Sequence, residues 1–172
     1  MWLAPYDLGV SQDFELACEP TDDEQIYEIL IRLHRLADPQ RADANLGRAA
    51  IGGPFSLVDQ NGAAVTEANF RGKLLLVFFG YTYCPDVCPT TLSRMAALRK
   101  QLGPDGDKFN IVFVSVDPQY DKPKDIGSYV TLFNTPIIGL TGSDAQIARI
   151  VKAFKVYYAK VPVEGGDYTV DH

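Results

Sequence analysis

The chain has 172 residues, 47% of them hydrophobic and 22% charged, the balance of one globular domain with room for an appendage, which excludes a collagen-like, coiled-coil or wholly disordered chain. Its net charge of −6 repels a polyanion, so nucleic acid is excluded as a partner. The longest apolar run, Leu74 to Phe79, is far shorter than the roughly 18 to 20 residues of a membrane span. Asp7 and Asp13 stand where a secretory signal would carry basic residues, so neither anchor nor export signal is expected.

The charge is unevenly placed. Met1 to Ala50 holds 4 basic and 10 acidic residues, all four basic ones Arg, whereas Ile51 to His172 holds 12 of each. This composition shift sets a boundary near Leu46 to Gly53, with an acidic segment over 1–48 and the main domain over 49–172. Within the segment, Phe14 to Cys18 alternates like a short strand. Thr21-Asp22-Asp23-Glu24 has the form of a capping box ahead of Ile26, Ile29, Leu30, Leu33 and Leu36 at helical spacing, and Asp38-Pro39 ends the run. His34, with no companion ligand nearby, reads as a surface or interface residue.

The main domain opens with a β-hairpin, Phe55 to Val58 and Ala64-Val65 around Asn61-Gly62, a dipeptide that accepts positive φ. Leu74 to Phe79 is apolar at every position, as a strand covered on both faces must be. A helical stripe follows at Leu92, Met95, Leu98 and Leu102, stopped by Gly103-Pro104. Ile111 to Val116 is a second buried strand, Ile126 to Phe133 a helix and Ile137 to Leu140 a third strand. Ser143-Asp144-Ala145-Gln146 is another capping box, opening a helix with Ile147, Ile150, Val151 and Phe154 inward. Strands alternating with helices imply right-handed crossovers, an α/β fold and a mainly parallel sheet, with Leu74 to Phe79 and Ile111 to Val116 adjacent at its centre.

The chemistry lies in Tyr83-Cys84-Pro85-Asp86-Val87-Cys88-Pro89, just after the first buried strand. Loops at the carboxyl edge of such sheets carry the sites of α/β proteins. A helix amino end favours thiolate over thiol, and a four-residue helical step places Cα atoms roughly 6 Å apart on one face. Cys84 and Cys88 at that separation can form a disulfide or share a metal ion, while Cys18 is remote in sequence. Three intervening residues depart from the Cys-x-x-Cys pattern of common redox sites. Buried, inert cysteines are the plain alternative; two thiols converging on a strand-to-helix turn argue against it.

Together with Val116-Asp117-Pro118 and Val170-Asp171-His172, the cysteine motif resembles the Sco/SenC copper-chaperone family over about Ile51 to His172. The resemblance implies a thioredoxin-like three-layer sandwich with a mainly parallel central sheet. It also implies copper, as Cu(I) or Cu(II), held by Cys84, Cys88 and His172, with a role in assembling the dinuclear copper centre of cytochrome c oxidase. The implied partners are the copper-bearing subunit of that oxidase or another copper chaperone. The implied location is membrane-anchored, facing the periplasm or the mitochondrial intermembrane space. Thiolates are soft ligands that select Cu(I), and an added imidazole accommodates Cu(II); the same set also suits zinc. Asp86 and Asp171 flank the ligands and are read either as groups that orient them and balance charge, or as a helix cap and a solvated turn.

The resemblance implies an antiparallel hairpin and a closing helix after the position of His172, which are expected to be missing from this chain. Met1 to Leu36 is expected to fill their place, within the chain or across a homodimer. The alternative function is a thiol-disulfide oxidoreductase in which Cys84 attacks a partner disulfide and Cys88 resolves it. A peroxidase would centre on a single activated Cys.

Overall fold

The computed structural model describes residues 2–5, 51–72, 74–163 and 168–171. Cys18, His34, His172, the expected strand at Phe14 to Cys18 and the expected helix from Thr21 to Leu36 lie outside the described residues.

The frame is a six-stranded sheet in the order β1-β4-β5-β6-β2-β3. Its strands are β1 (Trp2–Pro5), β2 (Ser56–Asp59), β3 (Ala64–Thr66), β4 (Leu74–Gly80), β5 (Phe109–Ser115) and β6 (Ile137–Thr141). β4, β5 and β6 run parallel, with Leu76 opposite Ile111 and Ile111 opposite Ile137. The crossovers are α1 (Val87–Gln101) after β4 and α2 (Pro123–Thr131) after β5, and α3 (Asp144–Ala153) follows β6. A separate hairpin of β7 (Ala159–Pro162) and β8 (Tyr168–Asp171) ends the described chain.

The central strands form where the side chains have no exposed face. Leu75 through Gly80 and Ile111 through Ser115 are buried at every position, so the sheet is covered on both sides. A large apolar side chain fully buried in this way contributes about 1.5–3 kcal/mol. Local signals agree with the burial pattern. Gly62 takes φ +84 in the turn between β2 and β3. At α3, the Ser143 hydroxyl accepts from the Gln146 N–H while Gln146 Oε1 accepts from the Ser143 N–H at 2.8 Å, the reciprocal box its sequence announces.

Two elements are not foreseen by the sequence. β1 pairs antiparallel with β4, Trp2 opposite Val77 and Pro5 opposite Leu74, so a strand from the amino-terminal segment closes the edge of the cysteine-bearing strand. Its Pro5 has no N–H to give a ladder and suits an outer strand. The β7–β8 hairpin is the other, and it brings the Val170-Asp171 end of the chain beside the main sheet.

Candidate metal centre

β4 delivers the cysteine loop at the carboxyl edge of the sheet. The Gly80 carbonyl accepts from Val116 N–H at 2.8 Å, and a turn closes with Cys84 N–H donating to the Tyr81 carbonyl at 3.3 Å. α1 begins only at Val87, so Cys84 is not helical and the two cysteines do not share a helical face as the spacing suggests. The cause is Pro85, which drives the residue before it out of the helical region. Convergence is reached another way: the Cys88 N–H, in the first turn of α1, donates to Cys84 Sγ at 3.4 Å. Both cysteines are free thiols and both are buried, Cys88 completely.

Burial also decides the charge of Cys88. Removal from water pushes its thiol well above the ordinary cysteine range, and nearby Cys84 and Asp121 add to the effect against a lowering hydrogen bond from the Tyr81 backbone. The expected thiolate-favouring influence of the helix end is therefore overridden at Cys88, which is a neutral thiol until something positive replaces its proton. The sulfur also fixes the identity of Gly80. A Cβ there would lie 2.7 Å from Cys88 Sγ and 3.1 Å from each of the Phe113 and Phe78 rings, so only glycine lets the thiol sit against the strand.

Of the two buried carboxylates that follow β5, Asp117 and Asp121, the second holds the loop in place. Asp121, 1% exposed, accepts from Thr82 N–H at 2.9 Å, from the Thr82 hydroxyl at 2.5 Å and from the Ser115 hydroxyl at 2.6 Å. Its own carbonyl accepts from the Thr141 hydroxyl at 3.0 Å. One residue thus joins the carboxyl ends of β5 and β6 to the loop after β4, at Thr82, two positions before Cys84. Burial lifts the Asp121 carboxyl above its ordinary range, outweighing these hydrogen bonds. Among the described residues no Lys or Arg forms an ion pair with it.

Asp117 instead faces the terminal hairpin. It pairs with Lys160 Nζ at 3.1 Å and accepts from the Tyr168 hydroxyl at 2.8 Å, while Lys160 also reaches Tyr168 Oη at 2.8 Å and lies 4.3 Å from its ring centroid. A further contact joins this hairpin to the cysteine loop directly: Tyr81 Oη and Thr169 Oγ1 are 3.0 Å apart. Tyr81 stands three residues before Cys84 and Thr169 three residues before His172. Val170 is buried in the same apolar cluster as Cys84 and Cys88.

Of the other sequence-derived site residues, Asp86 occupies the cap position of α1 but makes no cap bond, and its exposed carboxylate accepts only a 3.4 Å contact from the Thr90 hydroxyl. Asp171 is exposed at the end of β8, opposite Ala159. His172 lies outside the described residues, and among the described residues no cluster of three metal-ligating side chains is present. Asp121, Thr82, Ser115, Tyr81, Thr169, Tyr168 and Lys160 escape sequence reasoning, which names Val116-Asp117-Pro118 and stops short of Asp121. The shared loop is the one signal that points toward it.

Two buried sulfurs close to one another form a pair of soft donors that suits a soft cation better than a hard one. Comparison with known proteins agrees. Residues 43–172 match the SCO1/SenC family model. The chain is 44% identical over 127 residues to the mitochondrial SCO1 homolog 1 of Arabidopsis thaliana, covering 73% of this chain and 38% of that protein. It spans about half the length, or less, of the plant and yeast relatives it matches. Among solved structures it resembles copper-bound ScoI of Bradyrhizobium japonicum, at 50% identity and a TM-score of 0.69 over 72% of this chain and 78% of that one. It also resembles BsSco, a Sco-family cytochrome c oxidase assembly protein with a disulfide switch, at 25% identity and a TM-score of 0.53 over 71% and 83% of the two chains. The fold is the thioredoxin-like α/β fold with a mostly parallel central sheet.

Proposed function

Because the chain belongs to the SCO1/SenC family, we propose that it is a copper metallochaperone serving assembly of the dinuclear copper centre of cytochrome c oxidase. Copper is its cargo, bound by Cys84, Cys88 and His172. The observation that carries this reading is the joining of the cysteine loop to the terminal hairpin: Cys88 N–H meets Cys84 Sγ at 3.4 Å, and Tyr81 meets Thr169 at 3.0 Å. The strand leading to His172 is thereby tethered to the loop that carries the thiols.

Each part of the site has a chemical task. The cysteine sulfurs supply soft donors for Cu(I), and the His172 imidazole supplies the nitrogen that Cu(II) prefers. Binding displaces the Cys88 proton, which burial otherwise retains. Asp121 holds the loop geometry through Thr82, and Asp117 anchors the hairpin through Tyr168 and Lys160. Delivery requires an acceptor whose own thiol and imidazole ligands take the ion in turn, as a copper-bearing oxidase subunit or another copper chaperone would. In such a role the protein faces the periplasm or the mitochondrial intermembrane space. Among the described residues no helix is long and apolar enough to cross a membrane.

Thiol-disulfide exchange is the second reading, favoured by the two free thiols in contact. Cys84 as thiolate attacks a partner disulfide and expels one partner thiolate, which takes up a proton. Cys88 then attacks the mixed disulfide, closing a Cys84–Cys88 bond as the second partner thiol leaves; two electrons pass to the partner. Copper titration in both oxidation states, with a disulfide-reduction assay on the native chain and on His172→Ala, separates the readings. The chaperone reading expects Cu(II) affinity to fall much more than Cu(I) affinity, with disulfide reduction nearly unchanged. Absence of copper binding in the native chain, with brisk reduction, gives the site to thiol exchange.

A further inference from the structure

Among the described residues, the large apolar side chains that face solvent are unevenly placed. Tyr83, 77% exposed, and Val87 flank Cys84 on the segment after β4, and Tyr120 stands on the loop after β5, so all three lie at the carboxyl edge of the parallel strands. Three more are on or beside β7 of the terminal hairpin, and only Leu132, beyond the far end of α2 and before β6, is at the opposite edge. Single exposed apolar residues need no explanation, but several gathered at one edge mark an interaction surface.

The two loops share that surface. Thr82 N–H donates to Asp121 at 2.9 Å, which sets Tyr83 and Tyr120 each one residue from the same hydrogen bond. The Tyr120 ring packs on Tyr168 of the hairpin, centroids 5.6 Å apart. Cys88 is sealed and Cys84 is 8% exposed, while Tyr83, Pro85, Asp86 and Val87 around it all face solvent. Any group that approaches the sulfurs therefore passes over them.

Charge selects the occupant. Asp86 and Asp171 are exposed, and among the described residues neither forms an ion pair. Lys160 and Lys122, on the neighbouring segments, are engaged within the fold, the first with Asp117 and the second with the Pro118 carbonyl at 2.8 Å. An anionic membrane is repelled by these carboxylates in a chain of net charge −6. A second copy would bring the same carboxylates together across a twofold axis. A protein whose apolar patch is rimmed by Lys and Arg matches both the centre and the rim.

We propose that Tyr83, Val87 and Tyr120, flanked by Asp86 and Asp171, form the docking surface for the copper-accepting protein, and that this partner presents an apolar patch rimmed by basic side chains. The inference rests on the copper reading for what crosses the surface, but docking itself needs no metal. In the transfer Cu(I) keeps its oxidation state. Its bonds to the Cys84 and Cys88 sulfurs break as bonds to the acceptor's thiolates and imidazole form, and the acceptor's thiol protons pass to the vacated cysteines.

The probe for the test is the metal-free, soluble copper-bearing domain of the cognate cytochrome c oxidase subunit. The native chain is compared with Tyr83→Ser, Tyr120→Ser, the double variant Asp86→Asn with Asp171→Asn, and Leu132→Ser as the exposed apolar control at the opposite edge. Three quantities are read: Cu(I) affinity by competition with a small chelator, which needs no docking; the rate of Cu(I) transfer to the probe at low and high salt; and calorimetric binding of the metal-free chain to the probe. Tyr83→Ser and Tyr120→Ser are each expected to weaken binding and slow transfer about tenfold, the effect of losing one interface tyrosine anchor, with chelator affinity unchanged. The double variant is expected to slow transfer at low salt and flatten its salt dependence, and Leu132→Ser to match the native chain throughout. Binding and transfer equal in Tyr83→Ser, Tyr120→Ser and Leu132→Ser overturn the proposal, as does transfer that slows only in step with a fall in chelator affinity. Binding of the native chain to itself or to anionic vesicles in preference to the probe also overturns it. If the native chain binds no copper, the copper reading fails by itself and calorimetry decides the surface: binding weakened in Tyr83→Ser but not in Leu132→Ser upholds it, and equal or absent binding overturns it.

Discussion

Asp117 and Asp121 leave the end of β5 on one loop, both buried, yet they stabilise different parts of the site by different physics. Asp121 is tied to the sheet and to the cysteine loop by neutral donors alone, Thr82 and Ser115. Asp117 is tied to the terminal hairpin by a charged and a phenolic donor, Lys160 and Tyr168. The first arrangement is dry and rigid and places two sulfurs. The second opens to solvent through the exposed Lys160 and orients a strand that leads to the imidazole. In the copper role proposed above, this division would hold the cysteine sulfurs through the dry side and the strand that leads to His172 through the solvated one.

The contrast is broken most severely at Asp121. Asp121→Ala leaves the Thr82 N–H, the Thr82 hydroxyl and the Ser115 hydroxyl without their acceptor, and a loss on the order of 3 kcal/mol in urea unfolding is expected. Faster alkylation of Cys84 and Cys88 should accompany it as the loop loosens. Gly80→Ala attacks the same rigid side from the sheet, forcing a methyl group against the Cys88 sulfur. A destabilisation of about 1–3 kcal/mol is expected from overpacking, with Cu(I) affinity reduced, measured by denaturation and chelator competition.

Breaking the other carboxylate should cost less in stability and act on a different ligand. Asp117→Asn weakens an ion pair whose Lys160 is partly solvated, and the expected loss is about 1 kcal/mol. Copper titration should show a fall in Cu(II) affinity with Cu(I) affinity nearly kept, because the hairpin and not the cysteine loop has been released. Equal losses in both oxidation states would contradict the division of labour between the two carboxylates.

The smallest expected effect is a pH slope. Burial raises the Asp121 carboxyl above its ordinary value of 3.8, so the folded protein keeps this proton to higher pH than the unfolded chain. The unfolded chain then binds fewer protons between the two values, and stability falls as pH rises through that window. The contribution is fully present below the ordinary carboxylate pKa and lost once pH passes the raised one. Asp121→Asn should remove this component, flattening the dependence of melting temperature on pH in the mildly acidic range.

How far the sequence speaks depends on whether a feature is local. β4 and β5 are legible because residues apolar on both faces have one stable use, and the Asn61-Gly62 turn and Ser143 box because their partners lie within a few positions. The two thiols of the cysteine motif do converge, with Cys88 N–H on Cys84 Sγ, but the helical register assigned to Cys84 ignores Pro85, which is itself a local signal. β1 and the β7–β8 hairpin are short, with Pro5 in one and a mostly exposed Ala159–Pro162 in the other, so no alternation announces them. Asp121, Thr82 and Ser115 are illegible for a deeper reason. Their hydrogen bonds arise only when the crossovers bring the strand ends together.

X-ray absorption at the copper edge of the loaded protein counts the donor atoms around the ion and so decides which side chains hold it. Two sulfur scatterers from Cys84 and Cys88 are expected together with an imidazole nitrogen in the Cu(II) form, the nitrogen vanishing in His172→Ala while both sulfurs remain. A first shell of nitrogen and oxygen alone, or a His172→Ala spectrum identical to the native one, would contradict it.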